Sequence, residues 1–229
     1  MKQKTDYLKF IDYEYSQDDL AYKVNTDTAV LGMFLDMMKS KSVLDIGCNS
    51  GALLLYAHYH GAKHLCGVDI HEDALECAKK NLKRYTDDFK LYHSRIQDLE
   101  TEEFDVVLCN PPFFEMNNVT EDEYLKDAMF ESSLSLEELF QAFRKFMKAN
   151  GEAYLIYQAD RFPELYDMCK KYKLKIMKMA FVHDVHSRHA LRVAMKLKIG
   201  PMSKVKIYEP ILLDSGEFVS IKTLKTGVK

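Results

Sequence analysis

Apolar residues fall into two rhythms that alternate along this chain. Short, mainly apolar runs at 42–46, 64–70, 89–93, 104–109, 152–158, 175–182 and 190–199 have the length and character of strands covered on both faces. Between them apolar positions recur at helical spacing, at 51–60, 72–84, 135–149 and 161–172; Ala74, Leu75, Ala78 and Leu82 show the interval. A further helical segment, Thr26–Lys39, precedes the first run. Helices alternating with apolar strands predict an α/β fold: a mostly parallel sheet with helices on both faces. The last two strands follow one another without a helix and predict a C-terminal antiparallel hairpin. The tail adds 204–208 and 217–221 as candidate short strands. The organisation expected is one domain over 1–229: an N-terminal helical cap (1–40), a core (41–200) and a C-terminal extension (201–229).

In such sheets ligands bind at the carboxyl ends of the strands. Asp45, Asp69, Asp98 and Asn110 all fall near predicted strand ends, which groups them as one candidate site. The most informative of these ends is Asn110-Pro111-Pro112-Phe113. Two consecutive prolines fix two φ angles, remove two N–H donors and push Asn110 toward an extended backbone. The resulting loop is stiff and offers acceptors without competing donors. The Asn110 side-chain oxygen and the Pro111 carbonyl suit the two hydrogens of an exocyclic amine, and the Phe113 ring suits stacking on a base. Asn-Pro also opens ordinary turns, so the features upstream matter.

Upstream, Gly47-Cys48-Asn49-Ser50-Gly51 links the first strand to a helix, and its two glycines allow close backbone approach to a ligand. Asp69 ends the next strand, where a carboxylate can accept both hydroxyls of a ribose. A dinucleotide-binding unit is the competing reading of this glycine turn. Hydride chemistry, however, gives no role to an Asn-Pro-Pro-Phe loop after the fourth strand.

Taken together, the chain resembles the class I S-adenosylmethionine-dependent methyltransferases, with Val43–Gly51 similar to their first motif, Gly67–Ile70 to the second and Asn110–Phe113 to the fourth, amino-methylating one. More closely it is similar to the valine tRNA adenine-37 N6-methyltransferase family. That likeness rests on Lys23-Val24-Asn25-Thr26-Asp27 with Val30-Leu31-Gly32, on Glu131 with Ser135–Leu139, and on Asp160–Leu165. It runs from about Tyr7 to Glu217. The resemblance implies a Rossmann-like fold, S-adenosylmethionine as cofactor and RNA, specifically tRNA, as partner. It implies Asn110, Pro111 and Phe113 as the catalytic loop. Donor contacts would come from Thr26, Asp45, Gly47, Gly51, Asp69, Ile70, Asp98 and Asn110, with Asp27 beside Thr26. Phe113, Phe114, Arg188 and Arg192 would contact substrate. Three departures stand out: Asn49 replaces a glycine of the first motif, Phe113 stands where the family often has tyrosine, and Ala128–Glu131 lacks basic residues common in relatives. Residues 114–130 read as a mobile loop over the substrate. Other targets with the same chemistry are an rRNA base amine and a protein glutamine amide; an RNA-binding scaffold without catalysis is the reading from another class.

The net charge of −3 conceals an asymmetry. Residues 161–229 hold 15 Lys+Arg against 6 Asp+Glu, and residues 1–160 hold 17 against 29. The C-terminal part is therefore expected to supply a basic face, with Lys170, Lys171, Lys173, Lys175 and Lys178 bracketing a helix-to-strand turn and Arg188 and Arg192 following. Solvated lysines on helix and strand surfaces are the alternative. The five cysteines form no paired motif and read as small buried residues; Cys109, next to Asn110, has no evident base to make it a nucleophile. His183, His186 and His189 fall in a predicted loop without partner ligands, so no metal site is expected. No apolar run approaches membrane-spanning length and residues 1–6 carry no signal core, which places the expected protein in the cytoplasm.

Overall fold

The computed structural model describes residues 4–17, 25–111 and 134–220. In chain order the elements are β1 (Lys4–Tyr7), β2 (Glu14–Gln17), α1 (Thr26–Phe34), β3 (Ser42–Ile46), α2 (Ala52–Tyr59), β4 (His64–Asp69), α3 (Glu72–Leu82), β5 (Phe89–His93) and β6 (Phe104–Cys109). They continue with α4 (Leu136–Phe146), β7 (Met147–Gln158), α5 (Phe162–Lys171), β8 (Leu174–Asp184), β9 (Arg192–Ile199), β10 (Lys206–Ile207), β11 (Ile211–Asp214) and β12 (Glu217–Ser220). The main sheet runs β12-β11-β8-β9-β7-β6-β3-β4-β5, with β10 beside β8. Strands β3 to β7 are mutually parallel and β9 is antiparallel to both β7 and β8, which forms the expected hairpin.

Alternation along the strands divides the core into two faces. Val43, Leu65, Val106 and Leu108 pack with α1 and α2 on one side. Leu44, Ile46, Cys66, Val68, Val107 and Cys109 pack with α4 and α5 on the other. Burial on both faces explains why β3 and β6 begin and end where their apolar runs do. Helix α1 lies against α2 so closely that a Cβ on Gly32 would come 2.3 Å from the Tyr56 ring; the glycine is a packing requirement.

Several features differ from the pattern-based expectation, among them strand β11, which was not expected. The first helix ends at Phe34 rather than Lys39, because Leu35 turns to an extended backbone. Helix α4 ends at Phe146 rather than 149, because Met147 pairs with Phe104 and starts β7. Residues 4–17 form a hairpin, β1 with β2, where a helical cap was expected. This hairpin docks through buried Asn81 of α3, whose Oδ1 accepts from Ser16 N at 2.7 Å and whose Nδ2 donates to the carbonyls of Ser16 and Ser50, each at 2.9 Å. Among the described residues no helix is long and apolar enough to cross a membrane.

A partly buried ion network ties the end of α1 to the far strands. Lys178 Nζ donates to Asp36 Oδ1 at 2.7 Å and to the Phe34 carbonyl at 2.8 Å; Lys196 bridges Asp36 and Glu152, at 2.7 and 2.8 Å. Lys41 and Lys198 complete the set around Glu152, each at 3.1 Å. Burial alone would raise the Asp36 pKa, but hydrogen bonds from Lys178 and Lys196 outweigh it and hold the carboxyl far below its usual range. Glu152 is lowered for the same balance of reasons, chiefly through Lys196. A depressed folded-state value means stabilisation that is present above the unfolded carboxylate pKa of about 4 and lost as pH falls through the folded values. Urea unfolding is therefore expected to show stability falling below about pH 5. Asp36→Asn is expected to cost about 1–2 kcal/mol at pH 7, below the value for a fully buried pair because Asp36 is partly exposed, and to flatten that acid limb.

Candidate active site

Strands β3, β4 and β6 end in one row. Ile46 pairs with Val68 on one side and with Cys109 on the other, so the segments that follow, Gly47–Gly51, Asp69–His71 and Asn110-Pro111, leave the sheet side by side. The glycine turn is clamped to this row, since Gly47 N and Cys48 N both donate to the Val68 carbonyl, at 2.9 and 3.1 Å. Gly47, Asn49 and Gly51 all have positive φ, at 71°, 47° and 79°. Asparagine is among the few side chains that adopt this conformation readily, so Asn49 preserves the turn that a glycine would make. A Cβ on Gly47 would meet nothing within 4 Å, whereas one on Gly51 would press on Ala78 of α3 at 3.2 Å.

Asp69 braces the turn from below. Its Oδ2 accepts from Asn49 N at 2.8 Å and its Oδ1 from His71 N at 3.0 Å. Each oxygen retains lone-pair capacity for a further donor. Ile70 follows, half-buried, with its carbonyl 2.9 Å from His93 Nε2. Asp98 lies exposed in a short 3-10 turn at 96–98 beyond β5. Asp45 sits differently: it is 1% exposed, beneath the turn, and burial together with the neighbouring Asp69 raises its pKa well above the usual value. Its Oδ1 is buried and has no hydrogen-bond partner among the described residues. Cys109 is also buried, and burial with Asp45 nearby pushes its thiol pKa well up, which disfavours a thiolate nucleophile.

Asn110 is held by α1. Its Nδ2 donates to Thr28 Oγ1 at 2.9 Å and approaches Asn25 Oδ1 at 3.4 Å. Its Oδ1 is buried and has no hydrogen-bond partner among the described residues. Pro111 is buried beside it; Pro112, Phe113, Phe114 and the segment 114–130 lie outside the described residues. The cap of α1 is Asn25, whose Oδ1 accepts from Thr28 N at 3.0 Å. Thr26, expected as a donor contact, donates its hydroxyl to the Gly216 carbonyl at 3.0 Å in the β11–β12 turn. Sequence reasoning missed Asn25 and Thr28 as partners of Asn110; helical spacing across one turn joins them to each other, but nothing in the chain order joins them to residue 110.

The basic residues are divided by the sheet. Arg192 pairs with Asp27 at 3.0 Å at the rim of the site, so its charge is committed within the protein. Arg188 is exposed in the β8–β9 connection, at the same edge of the sheet as Asn110. Lys170, Lys171, Lys173 and Lys175 surround the amino end of β8, the opposite edge, about 30 Å away along a strand of this length. Of the histidines, His186 is bonded to Asp214 at 3.0 Å, and among the described residues no group of three His, Cys, Asp or Glu side chains is arranged to hold a metal.

The sequence profile of the methyltransferase small domain matches residues 20–162, from before α1 through the start of α5. The chain belongs to this family. A tRNA1(Val) (adenine(37)-N6)-methyltransferase of Dyadobacter fermentans is 27% identical over 210 residues, covering 90% of this chain and 88% of that protein. An enzyme of the same name from Flavobacterium psychrophilum is 28% identical over 82% of this chain and 85% of its own. Among solved structures, a ribosomal protein L11 methylase from Lactobacillus delbrueckii superposes with TM-score 0.58 at 19% identity, covering 79% of this chain and 82% of that one. A Pyrococcus abyssi tRNA (uracil-54, C5)-methyltransferase in complex with S-adenosyl-L-homocysteine gives 0.60 at 16% identity, covering 86% and 44%. The shared fold is the Rossmann-like one of class I methyltransferases.

The residues present fit an adenosyl donor, with open space beside Gly47 and a carboxylate at Asp69 with acceptor capacity left over. The turn that lines this space depends on Gly67 behind it, where a Cβ would meet Cys48 Sγ at 2.6 Å and Leu91 Cδ2 at 2.8 Å. Gly67→Ala is expected to lower stability by about 1–3 kcal/mol through overpacking and to weaken S-adenosylmethionine binding by displacing Cys48. Thermal unfolding and titration calorimetry on the one variant check both.

Proposed function

We propose that this protein transfers a methyl group from S-adenosylmethionine to N6 of an adenine in tRNA, specifically adenine 37 in the anticodon loop of a valine tRNA. The observation that carries the chemistry is the Asn110 amide, held by its nitrogen end and presenting an unpartnered acceptor beside the glycine turn. The position within the tRNA is supported by the names of relatives that share 25–28% identity over more than four-fifths of this chain.

When bound, the donor supplies an electrophilic sulfonium methyl. The chain's own residues supply alignment, the main source of acceleration in such a transfer. Asp69 accepts from the ribose hydroxyls, and the Gly47–Gly51 turn lets the backbone lie close to the donor. Asn110 Oδ1 accepts one hydrogen of the adenine amine and the Pro111 carbonyl the other, which leaves the nitrogen lone pair directed out of the base plane. Phe113 and Phe114 stack on the base, extruded or already unstacked in a loop. An amide is not a base at neutral pH, so Asn110 takes no proton. The methylated nitrogen, cationic once the bond to carbon has formed and that to sulfur has broken, loses its proton to water. Arg188 contacts phosphate near the rim. The cytoplasm, where tRNA is modified, is the corresponding location.

Incubation with labelled S-adenosylmethionine and separate pools of tRNA, rRNA and release-factor protein is expected to label tRNA, at one adenine by mass spectrometry; label confined to the protein or rRNA pool overturns the assignment. Asn110→Ala is expected to lower turnover by about 100-fold or more, the scale for losing one preorganised polar contact, with donor affinity nearly unchanged. Asp69→Ala is expected to show the opposite signature, donor affinity weakened by about tenfold or more. Calorimetry beside single-turnover kinetics separates the two.

A further inference from the structure

We propose that the N-terminus of α1 sets the polarity of the Asn110 amide, with Thr28 and Asn25 as positioning residues that oblige it to present oxygen, not nitrogen, to the substrate. The inference rests on the reading of Asn110 given above and extends it to specificity for an amino over a keto or ring-nitrogen group.

An asparagine side chain has two ends of nearly equal shape and opposite hydrogen-bonding character, and its surroundings decide which end faces where. Here the decision starts at a group whose character is not open to choice. The backbone N–H of Thr28 can only donate, and it points at the Asn25 side chain at 3.0 Å. Asn25 must therefore turn its oxygen toward α1. The Thr28 hydroxyl lies 3.1 Å from that same oxygen. An amide oxygen can only accept, so the hydroxyl proton is directed to Asn25 and the Oγ1 lone pairs face away from it. The Asn110 side chain meets those lone pairs at 2.9 Å, so the end it turns to Thr28 must be its NH2. Asn25 Oδ1, 3.4 Å from the same nitrogen, adds a second acceptor on that side. Its oxygen is then the end left over, and that atom is the one without a partner among the described residues.

Each link excludes the alternative at the next. With the amide reversed, two oxygens would face each other across the Thr28 contact, and an NH2 would face the substrate. A reversed amide suits a carbonyl or an unprotonated ring nitrogen; the observed one suits an exocyclic amine. Leaving a buried carbonyl oxygen unsatisfied is costly, and a substrate N–H relieves that cost, so the arrangement favours the amine twice over. Thr28 is 9% exposed and Asn25 is exposed, and neither is assigned any contact with donor or base.

The test compares Thr28→Val, which keeps the shape and removes the hydroxyl, with Thr28→Ser, which keeps the hydroxyl. Thr28→Val is expected to lower single-turnover rate at saturating tRNA at least tenfold, with S-adenosylmethionine affinity by calorimetry and the thermal midpoint close to those of the unsubstituted protein. Thr28→Ser is expected to recover activity to within about threefold. A Thr28→Val protein of ordinary rate, a loss that appears only in donor affinity, or a serine variant as slow as the valine one overturns the inference. If Thr28→Val fails to fold, the exposed position decides: Asn25→Ala is expected to lose rate while Asn25→Asp, which keeps an obligate acceptor, retains it, and equal rates for both overturn the proposal. Asn110→Ala run alongside separates the two levels. An inactive Asn110→Ala with a fully active Thr28→Val sinks only the polarity device, whereas an active Asn110→Ala sinks the reading on which it stands.

Discussion

Parallel pairing of β3 with β4 and with β6 is the constraint on which the site depends. Because Ile46 is opposite both Val68 and Cys109, three loops far apart in the chain start from one hydrogen-bonded row. A one-residue slip of any of these strands would turn its side chains to the other face. The two cores forbid it, since β3 and β6 carry wholly or nearly apolar buried residues on both sides. Hydrophobic burial thus fixes, to within one residue, where Gly47, Asp69 and Asn110 stand relative to one another.

Within that frame the loops are held by polar contacts to main chain rather than by packing. Asp69 accepts from Asn49 N and His71 N, while the pKa of Asp45, one strand over and buried, is raised by burial and by Asp69 itself. Burial separates the two carboxyl groups: Asp45, though it stands near the end of an apolar strand as Asp69 does, is 1% exposed, whereas Asp69 is only half-buried.

Much of this was legible in the chain. Strands β3 and β6 match their apolar runs end to end, because burial on both faces leaves a continuous signal, and Asn110, Asp69 and the glycine turn sit where strand ends predict. What escaped reading depends on contacts distant in sequence. The β1–β2 hairpin is held by Asn81, 65 residues from Ser16, and a short polar segment has no periodicity to announce it. Residues 147–149 have good helical propensity, yet pairing with Phe104 overrides it. The Asn25–Thr28–Asn110 chain spans 85 residues, and no local pattern marks a side chain whose task is to orient another.

Charge is the clearest case of composition outrunning geometry. The surplus of lysine and arginine after residue 161 is real, but Lys178, Lys196 and Lys198 spend theirs on Asp36 and Glu152 inside the fold, and Arg192 spends its own on Asp27. Of the described basic residues in this part, Arg188 stands at the edge of the sheet where Asn110 emerges, while Lys170, Lys173 and Lys175 stand at the other. A single nucleotide cannot touch both edges. A folded RNA can, and under the proposed function lysines of the far edge would meet its backbone at a distance from the modified base, a contact that adds affinity and salt dependence without sequence choice. Under the proposed function, selection of the base would then fall to the few atoms at the carboxyl ends of β3, β4 and β6.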